Sequence, residues 1–112
     1  MPQVIVTIIK SKDNKGNDVA ECLPHNVTLS ISDQDQIVWG SFEGNFEIDF
    51  APGTRPLLPG GPWKGTKGQL SPPVGLNPGV EPGDFCNFVA SLTPLEANEP
   101  LGLGGSILRV GK

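Results

Sequence analysis

In HNVTLSIS, residues 25–32, polar and apolar side chains alternate without a break from Asn26 to Ser32. Val27, Leu29 and Ile31 fall on one side of an extended chain, and Asn26, Thr28 and Ser30 on the other. A period of two belongs to a strand with one buried face and one wet face. No stretch of the 112 residues combines the length and the 3.6-residue period of a helix. The chain is therefore restricted to short strands joined by turns. Composition agrees: 15 glycines, 12 prolines, no tyrosine and few other aromatics suit a sandwich or barrel better than a helical bundle.

Other runs repeat the pattern. PQVIVTIIK (2–10) is β-branched and reads as a strand, and the polar SKDNKGND after it as a turn broken by Asn14 and Gly16. VAECL is a brief strand that stops before Pro24, because the residue before a proline is pushed to extended geometry. DQDQ is a turn and IVWGS a strand. In FEIDF, Phe46, Ile48 and Phe50 face inward and Glu47 and Asp49 outward. DFCNFVAS sets Phe85, Asn87 and Val89 against Cys86, Phe88 and Ala90, and SILRV closes the chain. Residues 51–83 differ. They hold most of the prolines and about half of the glycines, with no period. They form one long loop that hides short strands near 63–66 or 74–76. A loop of that length in a compact domain is usually functional or mobile. The expectation is one domain, residues 1–112, built as a Greek-key β-sandwich of about seven short strands.

The order of these pieces resembles the cupredoxins, the plastocyanin and azurin group. LPHNVTLSISDQDQIVW is similar to their proline-opened strand, turn and following apolar strand. NFEIDF resembles the next strand, EPGDFCNFVAS the run leading to their metal loop, and GGSILRV their closing strand. The match covers both ends of the chain and skips most of the 51–83 region. The resemblance implies an electron carrier with type 1 copper, which needs two histidines, a cysteine thiolate and usually a methionine. Those ligands have no counterpart here. Gly44, Asn45 and Phe46 stand where one histidine belongs. The cysteine position falls near Val89–Ser91, and Cys86 lies a few residues early. Asn87 to Val110 contains no histidine and no methionine. The only histidine is His25 and the only methionine Met1.

The remaining chemistry is sparse. The formal charge is −4 with dispersed lysines and arginines, which argues against nucleic acid and anionic membrane surfaces as partners. Cys22 and Cys86 allow one disulfide, worth roughly 2–4 kcal/mol in an oxidising compartment. The other reading is two buried free thiols, favoured when the given start is taken as native and the chain as cytoplasmic. If a leader was removed, a periplasmic or secreted home follows. Cys22 and His25 in CLPH, joined by Cys86, are the only candidate soft-metal ligands. GGPWKGTKG has threonine where a phosphate loop needs lysine. Within it Trp63 either plugs the core or, with Lys64 and Arg55, anchors a partner. Asn26-Val27-Thr28 matches a glycosylation sequon inside a strand. Glu47 and Asp49 share a strand face that is ordinarily solvated.

The expected function is a non-catalytic binding or structural module without cofactor. It would recognise a protein or small ligand through the 51–83 loop. The alternative is a copper protein for electron transfer or storage that uses Cys86 and His25.

Overall fold

The computed structural model describes residues 2–94, 101 and 104–112. The described residues contain no helix. Nine strands form two mixed sheets: β1 (Gln3–Lys12), β2 (Asp18–Leu23), β3 (Asn26–Ser30), β4 (Gln36–Gly40), β5 (Gly44–Phe50), β6 (Trp63–Gly65), β7 (Val74–Gly75), β8 (Phe85–Pro94) and β9 (Gly104–Gly111). One sheet has the order β2-β1-β4-β7 and the other β3-β9-β8-β5-β6. We call them the four-stranded and the five-stranded sheet.

Most neighbours are antiparallel, but β1 runs parallel to β4 and β3 parallel to β9. The chain leaves the four-stranded sheet after β2 and enters the five-stranded sheet as β3, which ties the two together along one side. The turn between β1 and β2 is organised by Asp13. Its carboxylate accepts the N–H groups of Lys15 and Asn17 at 2.8 and 2.9 Å. Those bonds hold its pKa below the usual carboxylate value.

The alternation read from the sequence sets the core. Val27 and Leu29 of β3, Phe46 and Ile48 of β5, and Cys86, Phe88 and Ala90 of β8 all point between the sheets and are buried. Ile31 departs from its expected inward position. The strand ends at Ser30, where Asp35 returns a carboxylate bond to the Ser30 N–H, and Ile31 is exposed in the turn. The count of about seven strands becomes nine because the 51–83 region contributes two, β6 and β7. It also buries Leu57 and Leu58 completely in the core, which its lack of period did not announce.

Backbone closeness fixes one residue type. An added Cβ at Gly65 would lie 2.1 Å from the Phe46 ring, which packs across the β5–β6 pair. Phe46 is buried and cannot swing into solvent without opening the core. Gly65→Ala is expected to destabilise the fold by about 2–3 kcal/mol, read as a fall of roughly 10 °C in thermal midpoint. An unchanged midpoint would show that the Phe46 ring has room to move.

Candidate functional site

The candidate metal ligands separate. Cys22 lies on β2 and Cys86 on β8, both at inward positions and both 1% exposed. Neither is bonded to the other; both are free thiols. Burial pushes each thiol up to about 11. For Cys22 the Ser106 hydroxyl opposes this and the Glu21 charge adds to it. For Cys86 a hydrogen bond with the Leu57 backbone opposes it. His25 is on the other side of the chain's course: its side chain is exposed, and its Nε2 meets the Glu21 carboxylate at 2.8 Å. The Cys-x-x-His spacing thus sends one ligand inward and the other to solvent. Among the described residues, no group of three or more His, Cys, Asp and Glu side chains is placed to hold a metal ion.

The residues do not fit type 1 copper. Cys86 is the second residue of β8, which continues to Pro94. At the far end of that strand Thr93 stands opposite Asn45. Neither is a copper ligand of the required kind.

Trp63 is partly buried and packs against the core. Its ring centroid lies 5.0 Å from that of Trp39, 5.2 Å from Phe50 and 5.8 Å from Phe88. Tilted and edge-on geometries of this kind are the favoured aromatic arrangements. Its neighbour Lys64 points the opposite way, into solvent, as strand alternation requires. Arg55 is exposed and reaches the Asp84 carboxylate at 3.5 Å. Of the three, Trp63 packs against the core, while Lys64 and Arg55 stay at the surface. Glu47 and Asp49 lie outside the core on β5, and Asp49 accepts the Phe50 N–H at 2.8 Å.

A different surface emerges on the outside of the four-stranded sheet. Among the described residues six large apolar side chains are exposed: Ile5, Leu23, Ile31, Phe42, Leu70 and Phe85. Four of them belong to this one face. Ile5 points outward from β1. Leu23 sits across from Thr7 in the β1–β2 register. Phe42, 78% exposed, stands just beyond the end of β4, and Leu70 lies against Gly40.

Between Ile5, Thr7, Gly40, Phe42 and Leu70 runs a cleft of about 300 Å³. Its wall is built by the segment after β6, which is bonded along β4. The Gly68 N–H donates to the Ser41 carbonyl at 2.8 Å, and the Ser71 N–H to the Trp39 carbonyl at 2.7 Å. The Trp39 N–H donates to the Ser71 hydroxyl at 2.9 Å. No charged side chain lines the cleft.

The sequence carried one signal of this face. In VIVTII both phases of the alternation are apolar, so a strand that buries Val4, Val6 and Ile8 must present Ile5 and Ile9 outward. Phe42 and Leu70 had no such signal, because both lie outside regular strands.

The chain matches no protein-family model, and no curated protein matches it significantly.

Two outcomes follow from this geometry. Trp63→Ala is expected to cost about 3 kcal/mol by opening a void among the rings, whereas an exposed anchor would leave stability unchanged; thermal unfolding distinguishes them. The thiols give a pH dependence. Their folded-state values lie above the ordinary value of 9.0, so their contribution is complete below pH 9. It is lost as pH rises toward 11, by roughly 2–3 kcal/mol per thiol. Urea midpoints should be level from pH 7 to 8.5 and fall above pH 9. Cys22→Ala should flatten part of that fall, and a pH-independent midpoint would count against buried thiols.

Proposed function

We propose that the chain is a non-catalytic interaction module on a cupredoxin-like sandwich without type 1 copper. It docks through the apolar outer face of the four-stranded sheet. The observation that carries this reading is the gathering of Ile5, Phe42 and Leu70 around a cleft lined by no charged side chain, with Leu23 beside it across from Thr7. Scattered exposed apolar residues are ordinary, but a contiguous group marks a binding surface.

The cupredoxin-like part is supported by strand order. The first strand lies parallel beside the fourth, the closing strand lies parallel beside the third, and the chain crosses between sheets after β2. The module part is supported by the fate of the reactive groups. The thiols are buried in their neutral form, and the single histidine is bound to a surface glutamate. A thiolate is the form that binds copper, and burial of this kind works against it.

The test uses a solvatochromic apolar dye and Cu(II) separately. The dye should bind the folded protein, and Phe42→Ser or Leu70→Ser should weaken its binding several-fold with little change in thermal midpoint. Cu(II) added to the reduced protein should produce no intense thiolate charge-transfer band. Dye binding that ignores both substitutions would remove the docking face. A band lost in Cys86→Ser would put the copper reading in its place.

A further inference from the structure

A second concave site lies where β4 begins, at the opposite end of that strand from Phe42. The turn after β3 and the segment after β7 form a cleft of about 300 Å³ between them. Ile31, Leu76, Pro78 and Val80 supply its apolar walls, and Gln36 and Asn77 bring amides to it. A space of that size suits a small molecule.

One charge is set among these groups. Asp35 is half-buried and is the only charged side chain that lines the cleft. Its Oδ2 accepts the Ser30 N–H at 2.9 Å, and its own N–H donates to the Ser30 carbonyl at 3.2 Å. These two bonds fix the carboxylate against the end of β3. Among the described residues no group donates to its Oδ1. Gln34, just before it, is the one non-glycine among the described residues with a positive φ, 55°. That backbone is costly for a residue with a Cβ, and strain of this kind gathers at ligand sites.

The field around the carboxylate is negative. Asp33 is exposed in the same turn, and the exposed Glu81 follows Val80. Among the described residues the ion pairs are Lys12 with Asp18, His25 with Glu21 and Arg55 with Asp84. None of them neutralises Asp33, Asp35 or Glu81. Lys112 comes to this turn through its carbonyl, which accepts the Ser32 hydroxyl at 3.0 Å, and its ammonium pairs with none of the three. A chain of net charge −4 draws cations toward it. A fixed carboxylate beside apolar walls then holds a cation that brings an apolar body with it. A bare metal ion fits less well, because among the described residues no three His, Cys, Asp or Glu side chains gather to ligate one.

We propose that this cleft binds a small organic cation, with its ammonium on Asp35 and its apolar body against Ile31, Leu76 and Val80. The site is separate from the docking face around Phe42 and does not depend on it.

Phenethylammonium chloride is the probe, followed by the backbone amide resonances of the isotope-labelled protein. Those of Asp35, Gly75 and Gly79 should shift together and saturate, with a midpoint of ~1 mM for so small a ligand. Those of Gly40 and Gly68, in the outer cleft, should stay in place. Asp35→Asn keeps the size of the side chain and an oxygen for the Ser30 N–H, so the turn is retained, checked by thermal midpoint. It should raise the binding midpoint at least about tenfold. Phenethyl alcohol has the same ring without the charge, and should bind the unaltered protein at least about tenfold more weakly. That comparison needs no variant.

Absence of saturable shifts at Gly75 and Gly79 up to ~20 mM probe would overturn the proposal. Equal binding of the alcohol, or a midpoint unchanged in Asp35→Asn, would do the same by removing charge from the recognition. Shifts confined to Gly40 and Gly68 would also overturn it, and would leave the docking face standing as the place where the ring binds.

Discussion

Ser71 is clasped to the backbone of Trp39 from both sides. Its N–H donates to the Trp39 carbonyl and its hydroxyl receives the Trp39 N–H. Both residues are buried, so these bonds are shielded from water, and leaving either partner unmet would cost about 1–3 kcal/mol. The clasp completes the free edge of β4 above its short pairing with β7. It also determines where a proline- and glycine-rich segment runs. With Ser71 held, Leu70 is laid over Gly40 and one wall of the outer cleft exists. The same strand sends the Trp39 ring inward against Trp63 and Phe88. The inner aromatic packing and the outer apolar cleft are thus two sides of one strand.

Strand phase then decides which groups are available for chemistry. Period-two geometry places Cys22 and Cys86 between the sheets and His25 beyond the end of β2. Among the described residues, no three His, Cys, Asp or Glu side chains come together as a metal site. Burial keeps the thiols neutral and supplies stability rather than reactivity. What is left outside is polar over most of the five-stranded sheet and apolar over the centre of the four-stranded one. Binding therefore has a natural place in the molecule.

Alternation made most of the fold legible in the sequence. Val27, Leu29, Phe46, Ile48, Cys86, Phe88 and Ala90 are buried as their spacing requires. The all-β sandwich follows from those runs and the turn residues between them. Ile31 was misjudged because a strand's end is set by a tertiary bond, Asp35 to the Ser30 N–H, which no local pattern contains. Leu57 and Leu58 were invisible for a related reason: an irregular segment can bury a pair of side chains without showing any period. The parallel pairings of β1 with β4 and β3 with β9 join segments distant in sequence, and strand propensity carries no information about partners. At the site, Trp63 was read as a core plug or an anchor, and its ring packs against Trp39, Phe50 and Phe88 while staying partly buried. The face around Phe42 depends on three segments meeting, so only its β1 component left a trace.

The two sheets end very differently on their two sides. On one side the outermost strands are β6 and β7, three and two residues long. On the other they are β2 and β3, six and five residues long. A stub edge offers too few unpaired backbone groups to template another chain. The longer edge of β2 carries Asp18 and Glu21, and acidic side chains discourage strand addition. Sheet-to-sheet polymerisation is thereby blocked at the stub edges by brevity and at β2 by charge. The β3 edge, Asn26–Ser30, has neither guard, so any strand added from another chain would find its template there.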